Sequence, residues 1–170
     1  TFEFEVTGAS TGILDAHHGM GHAAMAEAMQ HAISLAENSG VGVVSVKNSN
    51  HCGAMGYYSL MAAPHDMIGF TTTNTSPKMK TFNALEPYFG TNPFCFAAPM
   101  EGEEPFCYDA SQTVISSNKI KLLASLGSVL PPEAAADGRG VTTLDPALVQ
   151  SLLPLGGAHA GYKGFGLAMV

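Results

Sequence analysis

A chain of 170 residues that is 46% hydrophobic can bury a core and is too apolar to be a disordered polymer, so one domain, or the larger part of one, is expected. Seven Lys and Arg against 14 Asp and Glu leave a net charge of -7 without a basic patch, which argues against nucleic acid as a partner. Cys52, Cys95 and Cys107 lack C-x-x-C spacing and fit a reducing compartment, and neither a membrane-length apolar run nor a signal-peptide pattern is present; a soluble cytoplasmic protein is expected.

Phe2, Phe4 and Val6 alternate with Glu3 and Glu5, the period of a half-buried strand. Gly8 to Gly12 turn the chain into Ile13-Leu14, and Asp15 beyond them is placed to accept hydrogen bonds from a nearby helix start. A helix is predicted from Ala23, with Met25, Met29, Ile33 and Ala36 on its inner face and Gly40 at its end. Val41-Gly42-Val43-Val44-Ser45-Val46 follows as a strand of the kind that fills a buried sheet. Further elements are a short helix from Tyr57 to Ala63 closed by Pro64 and strands over 67–73, 94–99 and 106–108. A helix carrying Val114, Ile115, Ile120, Leu123 and Leu126 comes next, then a Pro-, Ala- and Gly-rich connection over 131–144 and a short helix from Asp145 to Leu153. An apolar helix is entered through Gly161-Tyr162-Lys163-Gly164.

The chemistry concentrates where strands end in polar loops. Lys47-Asn48-Ser49-Asn50-His51-Cys52-Gly53-Ala54-Met55-Gly56-Tyr57-Tyr58 places an imidazole at the C-terminal end of a strand, where open α/β sheets hold ligands. Such a loop suits acid–base work; a polar turn whose histidine bonds to a carbonyl fits it equally. Asn74-Thr75-Ser76-Pro77 closes the next strand with groups that can hold a polar ligand or cap a turn. Asp109-Ala110-Ser111-Gln112-Thr113 is expected to lead into a helix N-terminus, a ready site for a phosphate or an ordinary cap. His17, His18 and His22 lack an H-E-x-x-H pattern and read as loop or cleft residues, so no metal is expected. Lys163 between glycines can face a phosphate or carboxylate, but neither a P-loop nor a G-x-G-x-x-G fingerprint is present.

Taken in order, Ser49-Asn50-His51-Cys52-Gly53-Ala54, Gly90-Thr91-Asn92-Pro93-Phe94, Asp109 to Thr113, Thr142-Thr143-Leu144-Asp145-Pro146, Leu153-Pro154-Leu155-Gly156-Gly157 and Gly161-Tyr162-Lys163-Gly164-Phe165-Gly166 resemble one family across essentially the whole chain. It is the malate/L-lactate dehydrogenase family, which also includes ureidoglycolate dehydrogenase and 2,3-diketo-L-gulonate reductase. The resemblance implies a non-Rossmann α/β fold, a mixed β-sheet flanked by helices, with residues 1–170 as a single unit matching the central, cofactor-binding part. It implies an oxidoreductase that moves a hydride between NAD or NADP and a small malate- or lactate-like 2-hydroxy acid, usually as a homodimer. By position, His51 matches the acid–base histidine. Thr75, Ser76 and Pro77, Asp109, Ala110, Ser111, Gln112 and Thr113, and Tyr162, Lys163 and Gly164 match cofactor-lining positions.

Departures accompany the match. Asp109-Ala110-Ser111-Gln112-Thr113 stands where the family reads Asp-Met-Ala-Thr-Ser, and Thr81-Phe82-Asn83-Ala84 replaces a Pro-x-Gly-Gly stretch near the nicotinamide. Family members are about twice as long, with an N-terminal Ser-His-Gly segment contributing to the site, so terminal segments are expected to be lacking. A non-catalytic remnant that binds a partner is the alternative, and a histidine-based metal protein a third.

Overall fold

The computed structural model describes residues 1–81 and 83–170, and its contacts gather into two compact units. The first comprises Thr1–Thr71 with Cys95–Asp109, the second Thr72–Phe94 with Ala110–Val170. Phe82, within the altered Thr81–Ala84 stretch, lies outside the described residues. The architecture is mixed α/β, with small sheets and four α-helices among the described residues.

In the first unit, β1 (Glu3–Gly8) pairs antiparallel with β2 (Thr11–Asp15), and β2 pairs parallel with β3 (Val43–Lys47). The crossover between the parallel strands is α1 (Gly21–Ser39), which begins two residues before its predicted start and ends on Gly40 in the left-handed conformation at φ 81°. Its inner stripe is Ala24, Ala28, Met29 and Ile33. Met25 and Ala36, expected in the core, are only partly buried. Phe4 stacks its ring on that of His31 at 3.8 Å.

The expectation of a buried run at 41–46 is corrected. Only one face of β3 packs: Val44 and Val46 touch the Leu14, Ala16 and Ala24 cluster, while Val43, on the other face, is 53% exposed. A short helix α2 (Gly56–Leu60) follows, then a 3-10 turn over Ala63–His65 that takes in Pro64. The strands β4 (Gly69–Thr72), β7 (Phe94–Ala98) and β8 (Phe106–Ala110) form the second sheet in the order β4-β7-β8. Cys95 of β7 joins Met29, Ile33, Cys52, Met55 and Tyr58 in one buried cluster.

The second unit is built on four very short strands in the order β6-β5-β10-β9, namely β5 (Met79–Lys80), β6 (Pro87–Phe89), β9 (Ala135–Ala136) and β10 (Ser151–Leu152). None of the four stands out in the sequence, because two or three residues cannot show an alternating period. The connection over 131–144 therefore contains a strand. The helix expected from Asp145 to Leu153 shrinks to a 3-10 turn at Pro146–Leu148, capped by Asp145 through Ala147 N–H at 2.8 Å, before the chain extends into β10.

Two further expectations change. Helix α3 (Ser117–Ser125) starts after Val114 and Ile115, with the Ser116 hydroxyl accepting from Lys119 N–H. The segment ending at Thr113 thus does not abut a helix N-terminus; Thr113 bridges Pro154 instead. The last helix, α4 (Gly157–Met169), contains Tyr162, Lys163 and Gly164 within its turns rather than before them. Ile115, Ile120, Leu130, Ala134, Ala135 and Leu152 form this unit's core.

Candidate functional site

His51 sits on an exposed loop whose backbone is pinned from several directions within the first unit. Asp15 does not cap α1, as the sequence suggested. Its carboxylate instead accepts from His17 N–H at 2.9 Å and from the Asn48 amide at 3.0 and 3.1 Å, and lies 3.4 Å from Lys47 Nζ. The His17 amide bond, then Asn48, hold the Asp15 carboxyl down from an ordinary 3.8 to about 2. Backbone bonds from Ala16 N–H to Lys47 O (3.0 Å) and from His18 N–H to Asn48 O (2.7 Å) continue the seam.

His17, His18 and Asn48 all take left-handed backbone angles, at φ 47°, 58° and 52°. Strain of this kind persists only where surrounding contacts impose it. The resulting turn presents the carbonyls of His18 and Gly19 to the Asn50 amide at 2.7 and 2.9 Å. Gly21, the first residue of α1, is pressed onto the same loop: a Cβ there would lie 2.1 Å from the Asn50 carbonyl oxygen and 2.6 Å from that of His51. The histidine-rich stretch is therefore the scaffold of the His51 loop.

Beyond His51, the buried Tyr58 hydroxyl donates to the Cys52 carbonyl, and burial pushes that phenol up from its ordinary value. Thr71 Oγ1 donates to Met55 O at 3.1 Å. Gly56 N–H, at the start of α2, donates to Asp109 Oδ2 at 2.7 Å. Asp109 is thus the far anchor of the loop, a part the sequence did not show.

His51 Nδ1 accepts from Gly53 N–H at 3.2 Å, which leaves the neutral ring's proton on Nε2. The His22 ring stands 6.3 Å from that of His51, and its Nε2 would lie 2.7 Å from a Cβ on Gly53, whose φ is +75°. A side chain at 53 would be strained by the positive φ and would have to displace the His22 ring. His22 joins this neighbourhood because α1 starts at Gly21, a boundary the hydrophobic period does not locate.

In the second unit, three segments expected to line a cofactor are linked through single intermediaries. Thr75 Oγ1 accepts from Thr91 N–H at 2.9 Å, and Thr91 O accepts from Gln112 N–H at 2.7 Å. Gln112 O accepts from Leu155 N–H at 2.8 Å, and Leu155 O accepts from Gly164 N–H at 3.1 Å. Gly164 packs so tightly that a Cβ would fall 2.4 Å from Leu155 N. Thr91 and Leu155 belong to motifs that carry the family resemblance but have no expected role at the site, since neither offers distinctive chemistry. Ser76 and Pro77 are exposed.

The hydroxyls of the Ser111–Thr113 segment are spent on internal bonds: Ser111 Oγ donates to Thr113 O at 3.2 Å, and Thr113 Oγ1 to Ile115 O at 2.9 Å. Gln112 differs. It is fully buried, its amide nitrogen donates to Ala110 O at 3.1 Å, and its Oε1 has no hydrogen-bond partner among the described residues. Such an orphaned acceptor costs about 1–3 kcal/mol and calls for a donor from outside the chain.

Tyr162 and Lys163 are exposed on α4, with Lys163 Nζ 6.0 Å from the Tyr162 ring centre. The N-terminus of α4 is occupied from within: Glu133 accepts from Ala158 N–H at 3.2 Å and lies 3.5 Å from His159. No cluster of metal-binding side chains occurs, and no helix is long and apolar enough to cross a membrane, among the described residues. An open groove of about 460 Å³ lies between the end of α3 and Asp145-Pro146-Ala147, and none of the expected site residues lines it.

The strand-end histidine and its anchors belong to one unit of a mixed α/β chain, and the bonded polar segments to the other. Residues 1–170 match the family described as malate/L-lactate dehydrogenase, and the chain belongs to that family. Ureidoglycolate dehydrogenase (NAD(+)) of Escherichia coli K12 is 38% identical over 169 residues, covering 99% of this chain and 47% of that protein. L-sulfolactate dehydrogenase of Methanocaldococcus jannaschii is 40% identical over 163 residues, covering 94% and 46%. The crystal structure of malate dehydrogenase from Entamoeba histolytica superposes with a TM-score of 0.93 at 29% identity, over 99% of this chain and 50% of that one. The chain spans about half the length of the curated relatives it matches.

Proposed function

We propose that this chain carries the acid–base and dinucleotide-binding parts of an NAD- or NADP-dependent dehydrogenase acting on a small malate- or lactate-like 2-hydroxy acid. The observation that carries the reading is the His51 loop, exposed at its imidazole yet anchored by Asp15, Asn50, Gly21 and Asp109. That investment in fixing one ring is what proton transfer to a positioned substrate demands.

When bound, the nicotinamide supplies or accepts the hydride. His51 does the proton chemistry at Nε2, since Nδ1 faces Gly53 N–H. In the neutral ring, Nε2–H donates a hydrogen bond to the substrate oxygen. Protonation of Nδ1 to form the imidazolium releases the Gly53 amide, because a protonated nitrogen cannot accept its N–H; delivery of the Nε2 proton to the substrate then leaves the remaining proton on Nδ1, and oxidation of the alcohol runs the same sequence in reverse.

Thr75, Ser76, Pro77, Asp109 to Thr113, Tyr162, Lys163 and Gly164 hold the dinucleotide in this reading. The orphaned Gln112 Oε1 fits such a ligand, whose amide and ribose hydroxyls are donors. Lys163 contributes charge toward an anionic group. Asp109 additionally keeps Gly56, and with it the His51 loop, in register. Both units together correspond, in this proposal, to the central part of a family enzyme that works as a cytoplasmic homodimer.

The competing reading is a non-catalytic, partner-binding relative, favoured by the internal spending of the Ser111 and Thr113 hydroxyls. Oxidation of NADH and NADPH against keto acids of the malate, lactate, sulfolactate and ureidoglycolate types, with dinucleotide calorimetry alongside, separates the two. Turnover with at least one pair is expected. Absence of both turnover and dinucleotide binding would leave only the partner-binding role.

A further inference from the structure

We propose that Cys95 and Cys107 are a modification site, a thiol pair that closes into a reversible intramolecular disulfide with Cys107 as the thiol oxidants reach first. Their sulfurs are 3.6 Å apart on the neighbouring strands β7 and β8. Neighbouring strands lie about 4.8 Å apart, inside the Cα separations of roughly 4.4–6.8 Å that a disulfide spans. Bond formation therefore needs about 1.5 Å of sulfur movement, to reach roughly 2.05 Å, which a side-chain rotation supplies.

The two thiols are unequal. Cys107 is exposed, whereas Cys95 is fully buried in the cluster with Cys52, Met55 and Tyr58. Burial pushes the Cys95 thiol up to about 11, so it stays protonated and is the resolving partner rather than the entry point. With a peroxide as oxidant, the Cys107 thiolate attacks one peroxide oxygen. An S–O bond forms, the O–O bond breaks, and the released hydroxide leaves as water. The Cys95 sulfur then attacks the Cys107 sulfenic acid: the S–S bond forms, the S–O bond breaks, and the departing hydroxyl takes the Cys95 proton to give a second water. Two thiols have then lost two electrons to one peroxide.

The pair sits behind the His51 loop. A Cβ on Gly56 would meet Cys107 Sγ at 3.3 Å and Asp109 Oδ2 at 3.2 Å, so the bond would form next to the anchor at the start of α2. The proposal stands independently of the reaction assigned to the chain.

The test is peroxide treatment of the protein followed by intact mass and non-reducing peptide mapping. The expected result is loss of two hydrogens, a Cys95–Cys107 linked peptide, and full reversal by dithiothreitol. Cys107→Ser, at an exposed position, abolishes the link, and Cys52→Ala leaves it intact. Sulfinic acid at Cys107 with Cys95 still free, a link through Cys52 or between chains, or no oxidation at Cys107 would each overturn the proposal.

Discussion

The His51 loop and the Ser111–Thr113 segment are both strand-end polar stretches, yet they are held in opposite ways. The loop is held mainly by side-chain bonds: Asp15 and Asp109 reach in to Asn48 and Gly56, while the loop's own Asn50 reaches out to His18 and Gly19 and its Tyr58 back to Cys52. The segment is held by its backbone, through Thr91 and Leu155 at Gln112, leaving the Gln112 side-chain acceptor free of that task. A loop fixed by side chains can keep one ring in place while the ring itself stays exposed. A segment fixed by its backbone can give a side-chain atom to a ligand. Chemistry on the first and binding on the second is the division this contrast supports.

Substitutions break or sharpen it in a definite order. Replacing His51 by Ala is expected to lower turnover by roughly 10²–10⁴-fold, the usual worth of a positioned acid–base group, as read by nicotinamide absorbance. Gly21→Ala comes next, because its Cβ would press on two backbone carbonyls that cannot rotate away. It should destabilise by about 1–3 kcal/mol in urea unfolding and reduce turnover, with dinucleotide affinity less affected. Asn50→Ala removes two bonds at the partly open face of the same loop and should cost about 1–2 kcal/mol in the same measurement.

Gln112→Met sharpens the other side. It deletes an unpaired buried acceptor together with one bond to Ala110, so stability should stay within about 1 kcal/mol while calorimetry shows weaker dinucleotide binding. The smallest effect is that of Asp15→Asn. The folded carboxyl, at about 2, lies below its ordinary 3.8, so its stabilisation is present above roughly pH 4 and lost as pH falls toward 2. Urea midpoints taken across that window should fall with acid in the parent protein and less steeply in Asp15→Asn, where the lowered Asp137 still contributes.

Much of this was legible in the sequence wherever a pattern ran long enough. Phe2 and Phe4 of the alternation pack as expected while Val6 is exposed, and with the α1 stripe through Met29 and Ile33 they mark the first sheet and its crossover helix; the ordered motifs carry the family. What stayed hidden depends on distance in space. No spacing relates Asp109 to Gly56, or Gly21 to the carbonyls of Asn50 and His51. Strands of two residues such as Ala135–Ala136 exist only through their partners, and Asp145-Pro146 starts a turn that Ser151 and Leu152 abandon for pairing with β9. Cys95 and Cys107 are 12 apart in the chain and touch only because their strands are neighbours.

The division of labour is tested most directly by titrating the dinucleotide into His51→Ala by calorimetry. The account predicts an affinity within about twofold of the parent protein alongside the collapse in turnover, the signature of a group used only in the chemical step. A variant that no longer binds the dinucleotide, or one that binds it and turns over at the parent rate, would contradict it.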